Sequence, residues 1–254
     1  PVSLYYDVNV EGTIRVLQMM DKFNIKKLIF TSSVAVYGLN KNFPNEKSKL
    51  DPFNHYGKSK FQAEKEIFKW YEKDKKGKKI TIIRPTVIFG ERNRGNVYNL
   101  IKQIYKKRFL MVGSGLNKKS MAYVRNVAAF IQNRMENNDL GTFIFNYVDK
   151  PDLSMNELNY LILKEIGRKP SKIRIPFLFG LLVGYLFDAL SYITNRKYSI
   201  SSVRIKKFCA TTSFDGGKME NIFIPPFKLK EGLSKTIQYE FVEDNDSSIV
   251  FYSE

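Results

Sequence analysis

The sequence has one cysteine, Cys209, and one histidine, His55, among its 254 residues. A single thiol closes no internal disulfide and builds no cysteine-rich zinc site, and a lone imidazole excludes most histidine-based metal sites. No metal is therefore expected. No charged-then-apolar leader opens the chain, which makes a cytoplasmic protein the expectation. No internal repeat is present, and acidic residues are scarce: 25 against 42 lysines and arginines, a net charge of +17. Such a balance suits nucleic acid, a membrane surface or an anionic substrate. No zinc finger, RNA-recognition motif or basic zipper focuses the charge, so no nucleic-acid partner is expected. The run Lys73, Lys75, Lys76, Lys78 and Lys79 reads as a helix end and a solvated turn.

What is present is a globular composition, 43% hydrophobic and 14% aromatic, with apolar patterns that alternate between helix and strand. Val10, Ile14, Leu17 and Met20 recur near helical spacing over residues 10–24, and the apolar LIF leads into Thr31, Ser32 and Ser33. A short apolar run of this kind suits a strand of a parallel sheet buried on both faces, and ligands in such sheets bind beyond the strands' carboxyl ends. A polar loop from Gly38 to His55 precedes a helix expected from Tyr56 to Lys73. KITIIRP, ending at Pro85, and FIFNYV (143–148) read as strands, and Ser154 with Glu157 forms a capping-box signature. Arg92–Lys107 and the stretch after Pro151 fit no simple alternation and are expected to form a smaller lobe. In IPFLFGLLVGYLFDALSYI, Asp188 interrupts the apolar run after about 14 residues, short of the ~20 that span a bilayer. A buried lobe helix is expected there. Membrane docking, which the neighbouring Arg174, Arg196 and Lys197 would suit, is the less favoured reading. The acidic tail VEDNDSSIVFYSE reads as loosely held.

The chemistry centres on HYGKSK. Tyr56 and Lys60 stand four apart, hence on one helix face. A tyrosine holds its proton until about pH 10, so its use as a base near neutrality calls for an adjacent positive charge, which Lys60 can supply. The pair alone is commonplace on exposed helices.

The order TSSVAVYG, loop, Tyr-Lys helix, RPTVIFG, preceded by YYDVNVEGT, resembles the extended short-chain dehydrogenase/reductases, the NAD-dependent epimerase/dehydratase group that acts on sugar nucleotides. The resemblance covers essentially the whole chain and is specific for fold and cofactor class, much less so for substrate. It implies an α/β fold: a Rossmann-type parallel sheet with a smaller, mainly helical substrate-binding lobe. The Rossmann part would occupy 1–150, with 91–120 in the lobe, and 151–254 would be lobe and tail. It implies that Ser33 holds the reacting hydroxyl, that Tyr56 is the acid/base, and that Lys60 orients the nicotinamide ribose. Asn9 would contact the cofactor, Gly12–Thr13 would open a core helix, and Pro85 and Thr86 would lie near the nicotinamide. NAD is the implied cofactor, with NADP as the alternative. Asn96, Val97, Lys119 and Arg204 are the implied contacts of a nucleotide diphosphate, and homodimers form in relatives through the helices corresponding to 10–24 and 56–73. Asn126 reads as a helix cap and His55 as an orienting or structural residue.

Two departures from the family pattern matter. Sugar-nucleotide dehydratases follow the catalytic threonine with Asp-Glu, whereas Val34 and Ala35 stand here, and neither transfers a proton. Epimerisation, most simply at C4, and keto-sugar reduction remain; a steroid-type hydroxyl dehydrogenase and a catalytically inactive fragment are further alternatives. The second departure is the missing glycine-rich turn near Pro1, which implies that roughly 60–90 residues of N-terminal strand-helix units are absent.

Overall fold

The computed structural model describes residues 1–39, 42–171, 173–196, 198, 200–243 and 250–252. Lys197 and most of the acidic tail therefore lie outside the described residues. Two compact units divide the chain.

The first unit comprises Pro1–Ile88, Met121–Lys150 and Phe214–Lys228. Its sheet is parallel, ordered β1 (Lys27–Thr31), β2 (Lys79–Pro85), β6 (Gly141–Tyr147), with Thr31 in register with Ile83 and Pro85 with Tyr147. The central strand β2 is buried along its whole length, as its near-continuous apolar run demands. Lys79 is accommodated there by turning its ammonium onto the Arg134 carbonyl, 2.8 Å away. Helices α1 (Val2–Tyr6) and α2 (Gly12–Lys22) are joined by a π turn, Asp7–Glu11, so the helix expected at 10–24 begins earlier and is interrupted. With α3 (His55–Lys73), α2 covers one face of the sheet: Leu17, Met20, Ile67 and Trp70 pack on Ile80 and Ile82. A second cluster joins Ile83, Phe145 and Tyr147 to Val127 and Phe130 of α5 (Val124–Glu136) and to Met219 of the short α9 (Gly217–Glu220). Residues 214–228 thus belong to this unit, not to a C-terminal lobe as the sequence suggested.

Asn126 caps no helix. It sits buried in the first turn of α5, where its amide donates to Asp149 Oδ1 (3.0 Å) and the Phe227 carbonyl (2.8 Å) and accepts from the Phe227 N–H (3.1 Å). It fastens the late segment to the sheet unit.

The second unit comprises Phe89–Ser120, Pro151–Ser213 and Leu229–Glu254. It holds α4 (Asn96–Tyr105), α6 (Met155–Glu165), α7 (Phe177–Thr194), α8 (Ser202–Cys209) and α10 (Leu229–Phe241), with a parallel pair of two-residue strands, β4 (Met111–Val112) and β8 (Arg174–Ile175). The remaining strands, β3 (Val87–Phe89), β5 (Lys118–Tyr123) and β7 (Asp149–Ser154), form a sheet in that order. The capping box at Ser154 is present, its hydroxyl accepting from the Glu157 N–H and the Glu157 carboxylate from the Ser154 N–H. Helix α7 departs from expectation: only Gly180 and Gly184 are buried, and most of its large apolar side chains are exposed.

Candidate active site

The carboxyl end of β1 is set first. Ser32 continues the sheet hydrogen bonding through its N–H to the Ile83 carbonyl (2.7 Å). Ser33 is extended and caps a 3₁₀ turn, Val34–Tyr37, its hydroxyl accepting from the Ala35 N–H at 3.1 Å. A serine hydroxyl has one proton and two lone pairs. Capping uses one lone pair and leaves the proton and the other for a ligand.

Helix α3 is then seated against that turn. Asn54 caps it by accepting from the Gly57 N–H (2.8 Å), and a β-carbon on Gly57 would stand 2.6 Å from the Ala35 carbonyl oxygen. Glycine at 57 therefore permits the close approach of α3 to the turn after β1, which brings Lys60 to the end of that strand. The Tyr56 ring is half-buried, edge-on to Tyr5 with centroids 6.1 Å apart. One turn on, the Lys60 ammonium donates to the Thr31 carbonyl (3.0 Å) and lies 5.0 Å from the centre of the Phe30 ring. Burial holds this lysine below its ordinary pKa, partly opposed by Glu64. His55 pairs its Nδ1 with the Tyr6 hydroxyl at 3.1 Å.

Asn9 lies in the π turn. Its amide donates to the Ser59 hydroxyl (3.0 Å), which donates to the Tyr56 carbonyl (2.9 Å), while Thr13 bonds back to the Asn9 carbonyl (2.6 Å). A π turn re-aims side chains that a regular helix would stack one above another, and here it aims Asn9 at the first turn of α3. On the next strand, Pro85 and Thr86 are buried, and the Thr86 N–H bonds the Tyr147 carbonyl (3.0 Å). The Thr86 hydroxyl has no hydrogen-bond partner among the described residues. A buried hydroxyl left without a partner fits a polar cofactor.

Beneath these groups runs a buried network that sequence reasoning missed. Arg84 grips Glu64 through Nε (2.9 Å) and Nη2 (2.6 Å), Ser32 donates to the same carboxylate (2.5 Å), and Arg84 Nη1 donates to the Tyr37 hydroxyl (2.9 Å). Tyr37 donates to Asn146 Oδ1 (2.8 Å), and the Asn146 amide reaches the carbonyls of Pro44 (3.2 Å) and Asp215 (3.0 Å). Burial works against the charge on Arg84, but the Glu64 carboxylate outweighs it and the guanidinium is held above its usual pKa. Burial likewise raises Tyr37, against the pull of Arg84. The signals were an arginine inside an apolar strand and Glu64 one turn beyond Lys60.

The expected diphosphate contacts lie in the second unit. Asn96 is exposed and Val97 buried at the start of α4, and Arg204 is exposed on α8. Lys119 donates its ammonium to the carbonyls of Lys207 (3.0 Å) and Ala210 (2.6 Å) at the end of α8, and burial lowers its pKa to about 8. A cavity of about 270 Å³ in this unit is lined by Val112, Gly113, Ser114, Asn117, Phe177 and Cys209, none of them an expected contact. Among the described residues no cluster suited to a metal ion occurs.

The first unit is a parallel α/β sheet with Ser33 just past the carboxyl end of β1 and the helix that carries Tyr56 and Lys60 seated on the turn that follows. The chain belongs to the NAD dependent epimerase/dehydratase family, whose model matches residues 2–146. Over 255 residues it is 55% identical to N-acetyl-alpha-D-glucosaminyl-diphospho-ditrans,octacis-undecaprenol 4-epimerase of Escherichia coli O157:H7, covering 100% of this chain and 77% of that protein. UDP-glucose 4-epimerase of Vibrio cholerae is 27% identical, with 97% of this chain and 72% of that protein covered. In fold it is similar to UDP-glucuronic acid 4-epimerase from Bacillus cereus, solved with NAD, at a TM-score of 0.68 and 18% identity, over 91% of this chain and 66% of that one.

Proposed function

We propose that this chain carries the catalytic part of an NAD-dependent C4 epimerase whose substrate is N-acetylglucosamine joined through a diphosphate to a polyprenol lipid. The observation that carries the reading is the seating of α3 on the Ser33 turn, with the Lys60 ammonium on the Thr31 carbonyl. The substrate is taken from the 55% identical relative, which is named for that reaction.

Ser33 holds the C4 hydroxyl through the proton and lone pair that capping leaves unused. Tyr56, whose deprotonated form the Lys60 ammonium favours, takes that hydroxyl's proton to become a neutral phenol and later returns it, becoming the phenolate again. The relay from Asn9 through Ser59 to the Tyr56 carbonyl fixes the first turn of α3 while the proton moves. NAD, when bound, supplies the acceptance and return of hydride at C4 that inverts the carbon. Lys60 and Thr86 would hold its ribose and nicotinamide end. In the second unit Asn96, Val97, Lys119 and Arg204 are the proposed diphosphate contacts, with Lys119 the weakest because its donors already serve α8. Val16, Met19 and Phe23 are exposed on and just after α2 and support a homodimer through that helix. A cytoplasmic location completes the reading.

The test uses the full natural polypeptide with NAD, offered polyprenol-diphosphate N-acetylglucosamine and, separately, UDP-N-acetylglucosamine. Conversion of the lipid-linked sugar to its galacto epimer, without added reduced cofactor, is expected. Conversion of the UDP-sugar alone would move the substrate assignment to the chemistry for which the Vibrio cholerae relative is named. A product formed only as reduced cofactor is consumed would make the enzyme a keto-sugar reductase.

A further inference from the structure

Helix α7 has two unlike sides within its own unit. Gly180 and Gly184 form a seam one turn apart: a β-carbon on Gly184 would stand 2.8 Å from the Ser202 backbone at the start of α8, and one on Gly180 would stand 2.7 Å from a Val112 methyl. Asp188, the next residue on the same row, points the same way, its carboxylate accepting from the Ser202 N–H at 3.2 Å. The other side carries Leu178, Leu182, Leu186 and Leu190, spaced four apart, which are 77%, 57%, 58% and 44% exposed, with Phe179 and Ile193 beside them at 58% and 77%. Four water-exposed leucines in one row on an 18-residue helix are not the usual solvent face of a helix.

The charge of the segment that carries this row decides what covers it. Between residues 174 and 209 the sequence has Arg174, Arg196, Lys197, Arg204, Lys206 and Lys207, and the sole acid is Asp188, which is turned inward, while the Lys206 ammonium donates to the Tyr185 hydroxyl of α7 at 3.0 Å. Two copies meeting through this face would bring two strongly basic segments together, an arrangement that like-charge repulsion opposes. An anionic bilayer complements both features: the leucines enter the boundary between headgroups and acyl chains, and the net positive segment is attracted to lipid phosphates. Insertion across the bilayer is the poorer fit, because α8 is packed along the glycine seam and Asp188 is held midway along the helix.

We propose that α7 is an in-plane membrane-docking helix that seats this protein on an anionic lipid surface. It would hold the second unit at the surface from which a lipid-linked sugar diphosphate is presented.

The test is co-sedimentation of the purified full-length protein with vesicles of phosphatidylethanolamine and phosphatidylglycerol, and with vesicles of phosphatidylcholine alone, none containing a sugar lipid. Binding to the anionic vesicles is expected, at least tenfold stronger than to the neutral ones at low salt and weakened as salt is raised. L182E/L186E should lower the partition coefficient tenfold or more, with an unchanged circular dichroism spectrum because both side chains are exposed. K206E/K207E, which leaves the leucines intact, should lose the preference for anionic lipid. Absence of wild-type binding to either vesicle overturns the proposal. So does light scattering that reveals a dimer abolished by L182E/L186E without vesicle binding, since a second copy would then be the occupant. Because the vesicles carry no substrate, failure here leaves the catalytic reading standing, and failure of the epimerase assay leaves this one standing.

Discussion

Replacing Tyr56 by phenylalanine removes a single oxygen and leaves the ring against Tyr5 in place. Turnover of the full polypeptide should fall by about 10²–10⁴-fold with the unfolding midpoint unchanged, and a rate kept within tenfold would remove Tyr56 from the acid/base role. Gly57→Ala addresses position rather than chemistry. Its methyl would meet the Ala35 carbonyl at 2.6 Å, so α3 or the 3₁₀ turn must shift. A loss of about 1–3 kcal/mol in urea unfolding is expected, together with a fall in turnover; unchanged values of both would mean that the contact relaxes freely. Lys119 gives a pH signature. Its folded pKa of about 8 lies below the ordinary 10.5, so between those values the unfolded chain binds more protons and stability rises with pH. Below pH 8 both states are protonated and the burial penalty is fully felt. Lys119→Met should therefore flatten the rise in unfolding free energy from pH 8 to 10, and identical slopes for the two proteins would contradict the shift.

At the scale of elements, the buried pair Arg84–Glu64 ties β2 to α3 immediately beneath the site. Glu64→Gln leaves the Arg84 charge uncompensated and should cost about 3–5 kcal/mol, read from chemical unfolding; a cost under about 1 kcal/mol would mean that Tyr37 and Ser32 satisfy the guanidinium and its neighbours without it. Such elements were unevenly legible in the sequence. KITIIRP coincides with β2, and the Ser154–Glu157 box was readable, because periodicity and capping are local. The interruption of the first helix was not, since a π turn follows from what Asn9 reaches, fifty residues away. Helix α7 was misjudged for a related reason: an apolar run says that a helix seeks an apolar neighbour, and only the structure reveals that its own unit supplies just the glycine side. Tyr56 and Lys60 were singled out by motif order and family resemblance, their four-residue spacing alone being commonplace, whereas the network under them pairs residues from strands and helices remote in sequence.

For the molecule as a whole, a net charge of +17 is a source of self-repulsion that grows as the chain compacts. Raising sodium chloride from about 20 to 200 mM shortens the screening length from roughly 20 Å to under 10 Å. The melting temperature should rise by a few degrees, and a fall would mean that favourable ion pairs outweigh the repulsion. The bond from Asn146 to the Asp215 carbonyl has a consequence of another kind. During synthesis β1 and α3, which position Ser33 and Lys60, emerge before residue 80, yet the network beneath them closes only once residue 215 has left the ribosome, and the core containing Phe130 waits for Met219. The nascent chain must therefore carry a half-covered sheet through the making of the entire 151–213 segment, an interval in which it is a client for chaperones and a target for proteases.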